Sequence, residues 1–200
     1  GKVKICGLTR YQDAKLGADL GAWGGGFSFV ESSPRACNVA QAQQICRQLP
    51  EGVEKVGVFL NEKVERVNEI CTQVGLTIAQ LHGLETPEYC RKIKMPVLKA
   101  IQNLDLNDGT LLAQYEAKLL MDAPRVGQDW GGTGHQSDWG KAREIARNYP
   151  LFLAGNLGVS NVLEAIAEVQ PMGIDLSSSV EISPGIKDEV KLRQLFKTLA

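Results

Sequence analysis

The chain has 200 residues and a formal net charge of −1 at pH 7; 44% of its residues are hydrophobic and 22% are charged. This length fits one domain that buries about 70% of its unfolded surface. The small net charge gives no reason to expect a nucleic-acid or membrane partner. The longest apolar runs have the length of strands, and no basic segment precedes an apolar core, so we expect a cytoplasmic protein. A strand that follows directly on Gly1 is typical of a domain cut from a longer polypeptide.

Short apolar runs alternate with amphipathic segments along the whole chain. The pattern predicts strands over 2–6, 23–30, 54–60, 77–82, 96–101, 118–122, 150–154 and 172–176. Helices are predicted over 9–20, 38–49, 62–74, 86–94, 106–115, 138–148, 160–169 and 187–199. Residues suited to cap these helices stand near their starts: Thr9, Asn38, Asn61, Thr86, Asp138 and Ser160.

The order of these elements predicts the fold class. Successive strand–helix units form a parallel sheet with right-handed crossovers, and eight such units are the number that closes a (β/α)8 TIM barrel. We therefore predict an α/β protein in which residues 1–200 form a single compact barrel domain. An open doubly wound sheet is the alternative.

The five cysteines are widely spaced, and the chain has only two histidines. Their odd number and the absence of a C-x-x-C pair argue against a disulfide framework or a zinc site. Cys46, Cys71 and Cys90 fall in predicted helices, where a thiol is commonly a small buried hydrophobic group. Cys6 differs because it ends the first predicted strand.

Polar residues follow most of the predicted strands. In a barrel the active site lies at the carboxyl ends of the strands, so side chains of these types at one face indicate chemistry. The residues at those ends are Cys6, Arg35, Asn61, His82, Lys99, Asp122, Gly155, Asn156, Asp175 and Ser177.

Strand alternation orients two pairs of these side chains. Residues two apart share a face, so Lys4 points the same way as Cys6, and Gln80 the same way as His82. A free thiol is only a few per cent thiolate at neutral pH, and a buried ammonium at Lys4 would favour the charged form. The alternative is that Lys4 extends out of the barrel bottom and Cys6 only packs.

Three turns are suited to hold anionic groups. The glycines of Gly131–Gly134 precede a helix start at Asp138, and backbone amides in such loops approach anions closely. Together with the turns after strands seven and eight, this loop resembles the phosphate site of many barrels.

Arg35, fixed beside Pro34, is suited to fork onto a carboxylate; the alternative is a surface arginine in a loop.

Several stretches together resemble the phosphoribosylanthranilate isomerase family. They run in order through the chain: KICGLTR (4–10), GFSFVESSPR (26–35), VGVFLN (56–61), QLHG (80–83), LLMD (119–122), GGTG…DW (131–139), LAGNL (153–157) and DLSSSVEISPGIKD (175–188). This resemblance implies a (β/α)8 barrel that carries out an Amadori rearrangement in tryptophan biosynthesis. The substrate would be N-(5-phosphoribosyl)anthranilate and the product 1-(o-carboxyphenylamino)-1-deoxyribulose 5-phosphate, with no metal and no redox cofactor.

The resemblance also implies roles for residues. Cys6 would be the general base and Asp122 the general acid, protonated because burial raises its pKa. Arg35 would hold the anthranilate carboxylate. The remaining predicted substrate-binding residues, mainly around the phosphate, are His82, Gly132, Gly134, Gly155, Asn156, Ser178 and Ser179. The implied partner is a small phosphorylated substrate, bound by a monomer or by one domain of a fused tryptophan-pathway enzyme.

The chain departs from the family pattern where it has Asn156 and Ser179, since relatives more often carry glycine there. If these positions need positive φ, asparagine is tolerable and serine poorer. The run GAWGGGF (21–27) is expected to loosen the second strand. Two alternatives remain: a related phosphate-binding barrel, for which only Lys99 is suggestive of a catalytic lysine, and a non-catalytic barrel half of a fused enzyme.

Overall fold

A closed barrel of eight parallel strands forms the centre of the protein in a computed structural model that describes residues 1–101, 109–123 and 137–200. Each strand pairs with the next, and the last pairs with the first, which confirms the predicted (β/α)8 class. The strands are β1 (Lys2–Ile5), β2 (Gly24–Ser28), β3 (Glu54–Phe59), β4 (Ile78–Leu81), β5 (Val97–Ile101), β6 (Lys118–Met121), β7 (Leu151–Leu153) and β8 (Gly173–Leu176).

Helices pack around this barrel, one after each strand. They are α1 (Tyr11–Asp19), α2 (Val39–Gln48), α3 (Val64–Val74), α4 (Pro87–Arg91), α5 (Gly109–Gln114), α6 (Trp139–Ala146), α7 (Val162–Val169) and α8 (Glu189–Leu199). Positions 106–108 of the fifth predicted helix lie outside the described residues. Within the described ranges, none of the helices is long and apolar enough to cross a membrane.

Strand alternation divides the core into two layers. Odd positions of β1, Val3 and Ile5, pack against the helices, whereas Lys4 points into the barrel and is fully buried. The alternative in which Lys4 extends out of the barrel is therefore wrong. Below the polar side chains at the carboxyl ends, an apolar cluster fills the interior, and each fully buried large side chain in it contributes about 1.5–3 kcal/mol. Its members are Val56, Ile78, Leu98, Ala100, Leu120, Phe152 and Ala154, with Trp23 packed at one end.

The glycines of β2 make room for neighbouring side chains. All five residues of Gly24–Ser28 are buried and pair in continuous register with β3, so the strand keeps regular pairing, and its expected loosening stays a prediction. A Cβ at Gly25 would lie 2.7 Å from Leu8 Cδ1, and one at Gly26 would lie 2.7 Å from Cys6 Sγ. The missing side chains therefore allow β1 and its following loop to approach β2 closely.

Three of the predicted helix caps are confirmed and three are wrong. Asn38, Thr86 and Asp138 accept hydrogen bonds from the first turns of α2, α4 and α6. The other caps are Arg10, Lys63 and Asn161, in place of Thr9, Asn61 and Ser160. Thr9 Oγ1 instead donates to Gly185 O, and Asn61 Oδ1 accepts from Leu84 N at 2.7 Å.

Three short elements after β8 were not predicted. After β8 the chain forms a 3-10 helix over Ser178–Val180 and a small antiparallel hairpin of β9 (Glu181–Ser183) and β10 (Ile186–Lys187). Pro184 and Gly185 make its turn, with Gly185 at φ +84°. This hairpin lies against the loop after β1, because Thr9 bonds to Gly185.

Candidate active site

Polar side chains from β1, β4, β6 and β8 converge inside the barrel, at the end where the strands have their carboxyl termini. They face one another because the residues of parallel strands at the same height point inward together. Buried among otherwise apolar strands, each needs a polar partner. The set comprises Lys4, Cys6, Gln80, His82, Asp122 and Asp175.

Lys4 and Asp175 form a buried ion pair between the first and last strands. The two residues are register partners, and Lys4 Nζ lies 2.9 Å from Asp175 Oδ1. Burial alone would lower the pKa of Lys4, but the attraction of Asp175 and of Cys6 outweighs burial and raises it. Lys4 is therefore an ammonium ion held at the centre of the site.

Cys6 stands directly above this pair, at the end of β1. Its N–H donates to Leu176 O at 2.8 Å, and its carbonyl accepts from Ser177 Oγ at 3.2 Å, so β8 fixes the backbone on both sides of the thiol. Gly7 then turns the chain at φ +75°. A Cβ on Gly7 would lie 2.5 Å from Arg35 Cδ and 2.9 Å from Ser177 Oγ, so this position holds glycine for both conformation and space.

Cys6 is the one partly exposed cysteine; the others are buried. Burial raises the pKa of Cys37, Cys71 and Cys90 to about 11 and that of Cys46 to about 12. These four thiols are therefore protonated at neutral pH. For the three in helices, the prediction of small buried hydrophobic groups is confirmed.

His82 links Gln80 to Asp122. His82 Nδ1 lies 3.0 Å from Gln80 Nε2, and His82 Nε2 lies 3.3 Å from Asp122 Oδ2. Burial acts to raise the pKa of Asp122, but the hydrogen bond and charge of His82, the amide of Ala123 and the charge of Lys4 together lower it. The expectation that Asp122 has a raised pKa is therefore wrong, because its neighbours outweigh the effect of burial.

Arg35 is engaged by a carboxylate of the protein itself. Its Nε lies 3.0 Å from Glu181 Oε2 and its Nη2 lies 2.7 Å from Glu181 Oε1, so the guanidinium and carboxylate form a fork. Lys187 Nζ also contacts Glu181 Oε2 at 3.0 Å. Burial acts to raise the pKa of Glu181, but Arg35 and Lys187 lower it. The surface-arginine alternative is wrong, since the Arg35 side chain is only 14% exposed.

The turns after β7 and β8 present backbone amides. Gly155 and Asn156 have φ of +99° and +52°, as expected for a turn that favours glycine or asparagine. A Cβ on Gly155 would lie 3.0 Å from Ala123 N. Among the described residues, no backbone acceptor pairs with the N–H groups of Gly155, Asn156, Ser178 and Ser179.

Ser179 does not occupy a left-handed conformation, so its position does not require glycine. Its hydroxyl donates to Leu157 O and thereby joins the two turns. The predicted phosphate-binding residues Gly132 and Gly134 lie outside the described residues.

The sequence reasoning missed Glu181 and Lys187 and gave Asp175 no role. The signal for the first two was the Pro-Gly turn between two short runs, which is typical of a hairpin. A hairpin after the last strand would have brought Glu181 and Lys187 back toward the barrel mouth. For Asp175 the signal was its register with Lys4 across the first and last strands, which closure of the barrel determines.

Ionisable side chains that meet at the carboxyl ends of a closed eight-stranded barrel are typical of (β/α)8-barrel enzymes. Comparison with known proteins agrees with this class. The family model described as N-(5'phosphoribosyl)anthranilate (PRA) isomerase matches residues 3–198, and the chain belongs to that family.

Relatives from this family match over nearly the whole chain. The N-(5'-phosphoribosyl)anthranilate isomerase of Syntrophus aciditrophicus is 42% identical over 193 residues, which is 96% of this chain and 84% of the relative. The solved phosphoribosyl anthranilate isomerase of Thermus thermophilus has a TM-score of 0.88 and 35% identity, covering 100% of this chain and 98% of that one. A further solved isomerase holds reduced 1-(o-carboxyphenylamino)-1-deoxyribulose 5-phosphate; its TM-score is 0.86 at 34% identity, over 98% and 97% of the two chains.

Proposed function

We propose that this chain isomerises N-(5-phosphoribosyl)anthranilate to 1-(o-carboxyphenylamino)-1-deoxyribulose 5-phosphate, with Asp122 as the acid and Cys6 as the base. Family membership over residues 3–198 supports the reaction. The observation that supports the residue roles is that Cys6 and Asp122 belong to one set of inward-facing side chains. A Cβ on Gly26 would lie 2.7 Å from Cys6 Sγ and 3.2 Å from Lys4 Nζ, and Asp122 Oδ2 lies 3.3 Å from His82 Nε2, so the thiol and the carboxylate border the space inside this end of the barrel. That space is at the end of the barrel where such enzymes bind substrate.

The first step needs a proton from Asp122. Because its neighbours lower the pKa of Asp122, the competent form is the His82–Asp122 pair with one additional proton. In this form Gln80 turns its amide so that Oε1, which otherwise has no hydrogen-bond partner among the described residues, accepts from His82 Nδ1–H. The proton on Nε2 can then move along the 3.3 Å contact to Asp122 Oδ2, giving imidazole and carboxylic acid. Asp122 then protonates the furanose ring oxygen, the bond from that oxygen to C1′ breaks, and the nitrogen lone pair forms the C1′–N double bond.

The second step needs a base at C2′. The Cys6 thiolate removes the C2′ proton, and the electrons of that bond form a C1′–C2′ double bond while the iminium nitrogen is neutralised. The resulting enolamine becomes the ketone when it gains a proton at C1′ and loses the proton on O2′. Each acid–base group contributes about 10²–10⁴-fold in rate.

The two anionic groups of the substrate have separate binding regions in this proposal. Arg35 keeps Nη1 without a partner among the described residues, while its Nε and Nη2 hold Glu181, so Nη1 is available to the anthranilate carboxylate. The phosphate rests on the amides of Gly155, Asn156, Ser178 and Ser179, with Gly132 and Gly134 as further predicted contacts.

All of these groups come from one chain, so we propose that residues 1–200 act as one catalytic domain and that a single chain suffices for turnover. The five free thiols fit a reducing compartment, which favours a cytoplasmic location. A non-catalytic barrel would have no need for both a thiol and a carboxylate–imidazole pair at its mouth.

The test is turnover of phosphoribosylanthranilate by the purified chain, followed by loss of its fluorescence. Cys6→Ala and Asp122→Asn are each expected to lower kcat by about 10²–10⁴-fold, with a similar fall in kcat/KM, because transition-state stabilisation is lost. Cys71→Ala removes a buried thiol within helix α3 and is the control, expected to keep wild-type kcat. Near wild-type kcat in either active-site variant would overturn the residue roles, and no turnover by the wild-type chain would overturn the reaction.

A further inference from the structure

Lys4 is a charged group that the acid–base steps leave unused. Its side chain is fully buried inside the barrel, where an ammonium ion is costly unless it is paired and hydrogen-bonded. The pair with Asp175 explains how the charge is tolerated, but an apolar pair of similar volume would fill the same space at least as stably. The stability of the fold therefore does not explain the charge at Lys4, and the groups around Nζ indicate its function.

The nearest reactive group is the thiol of Cys6. Both side chains point into the barrel from the same face of β1 and its continuation. They also share the space left by one glycine of β2: a Cβ on Gly26 would lie 2.7 Å from Cys6 Sγ and 3.2 Å from Lys4 Nζ. The absent side chain at Gly26 thus lets the ammonium group reach the thiol.

We infer that Lys4, held in place by Asp175, is a positioning residue whose ammonium charge stabilises the thiolate of Cys6. This inference rests on the proposed role of Cys6 as the base. The geometry supports this role, because Lys4 Nζ and Cys6 Sγ border the same space at Gly26 and an ammonium ion attracts a neighbouring thiolate. Asp175 restrains Nζ from the neighbouring strand at 2.9 Å.

Other charged groups also face Cys6, and their effects on the thiol are distinct from the effect of Lys4. Lys187 interacts with Cys6, but its ammonium donates to Glu181 Oε2 at 3.0 Å and to Ser177 O at 3.1 Å, and burial lowers its pKa. Both ammonium groups have a carboxylate partner, but Lys4 Nζ also borders the space at Gly26 that Cys6 Sγ occupies. The charged and titratable groups around the thiol are Lys4 on β1, His82 after β4, Asp122 after β6, Asp175 on β8, Arg35 after β2, and Glu181 and Lys187 on the hairpin.

The experiment measures the thiolate of Cys6 directly. The folded protein is treated with iodoacetamide across a range of pH, and the rate of Cys6 alkylation is determined by peptide mass spectrometry. The four other thiols are buried, which separates their reaction from that of Cys6. Lys4→Met is expected to move the midpoint of the alkylation profile upward by about one pH unit or more, equivalent to an about tenfold smaller thiolate fraction at neutral pH. Lys4→Arg, which retains the charge, is expected to recover part of that shift.

Two further variants keep the result interpretable. Lys4→Met leaves the Asp175 carboxylate buried without its cation, which destabilises the fold. The double variant Lys4→Met with Asp175→Asn removes both charges, so it is expected to fold and to show the same shift in the alkylation midpoint. Lys99→Met is the matched control, because Lys99 is also a buried lysine, paired with Glu85 at 3.2 Å on the helix side of the sheet. It is expected to leave the alkylation midpoint unchanged.

The outcomes assign the role without ambiguity. An upward shift in both Lys4 variants and none in Lys99→Met supports the inference, together with a kcat/KM profile of the Lys4 variants that rises further into alkaline pH than that of the wild type. An unchanged midpoint in the Lys4 variants overturns it, as does a shift produced by Lys187→Met instead. Alkylation does not require turnover, so loss of the proposed base role would be seen separately, as unimpaired kcat in Cys6→Ala.

Discussion

Replacing Gly26 with alanine tests whether the space in β2 sets the geometry of the Cys6 thiol, the proposed base. The new Cβ would lie 2.7 Å from Cys6 Sγ, 3.2 Å from Lys4 Nζ and 3.3 Å from Cys6 Cα, whereas ordinary van der Waals contact begins at 3.4 Å. Neither strand can retreat easily, because β1 pairs with both β2 and β8. The thiol must therefore rotate or move away from its position above Lys4.

The expected effects on stability and activity differ in size. Overpacking by one methyl group costs about 1–3 kcal/mol of folding free energy, and each kcal/mol lowers the Tm of a domain of this size by about 2–4 °C. A displacement of a catalytic group by about 1 Å lowers the rate by about 10²-fold. We therefore expect Gly26→Ala to remain folded at 25 °C and to lose about 10²-fold in kcat, measured by substrate fluorescence alongside thermal unfolding.

Gly24→Ala is the matched control for this change. Its Cβ would lie 3.0 Å from Glu54 Cβ and 3.1 Å from Glu54 O, a similar overlap one inward position below Gly26. It is expected to lower Tm comparably and to keep near wild-type kcat. The reasoning is refuted if Gly26→Ala keeps its kcat, or if Gly24→Ala loses as much activity as Gly26→Ala.

Two further predictions concern the hairpin and the phosphate turn. Glu181→Gln leaves Lys187 buried without a carboxylate and is expected to cost about 3–5 kcal/mol at pH 7 in urea unfolding. Folding lowers the pKa of Glu181 from its ordinary 4.5, so the stabilisation by this carboxylate is complete above pH 4.5 and is lost as pH falls through the lowered pKa. If the difference in unfolding free energy between the wild type and Glu181→Gln stayed constant into acid, the role of Glu181 would be contradicted. At φ +52°, Asn156→Val places a β-branched residue in a left-handed turn at a cost of about 1–2 kcal/mol, and is expected to raise KM with little change in kcat, whereas Asn156→Gly keeps both. Equal KM values for the valine variant and the wild type would remove this turn from substrate binding.

The barrel strands could be predicted because their signal is local. Runs of apolar residues such as those in β5 and β6 are buried on both faces, and each is bounded by turn residues within the sequence itself. Helix starts were predicted less well. Thr9 and Asn61 have the composition of N-caps, but tertiary contacts recruit both to join loops, Thr9 to the hairpin and Asn61 to the segment after β4. Capping preference is worth only about 1 kcal/mol and yields to such contacts.

The site was predictable to the extent that strand ends and alternation determine it. These placed Cys6, Lys4, His82 and Asp122 at one mouth of the barrel. The pairing of their charges was not predictable, because it depends on residues distant in sequence. The pKa of Asp122 fell instead of rising since His82 reaches it across the barrel, and Arg35 meets Glu181 only after the chain has passed through all eight strands.

The distribution of charge at the described part of the mouth gives the proposed substrate one orientation. On the hairpin side, the single carboxylate of Glu181 is shared by two cations, Arg35 and Lys187, so that side carries an excess of positive charge. On the β6 and β8 side, Asp122 and Asp175 share the one permanent cation of Lys4, with His82 adding charge only when it is protonated. In the proposed binding mode, the anthranilate carboxylate is attracted to the first side and repelled by the second, so the ribose lies toward Asp122 and Cys6. A phosphate held on backbone amides completes this arrangement without adding another titratable cation that would compete with Lys4 for the thiolate.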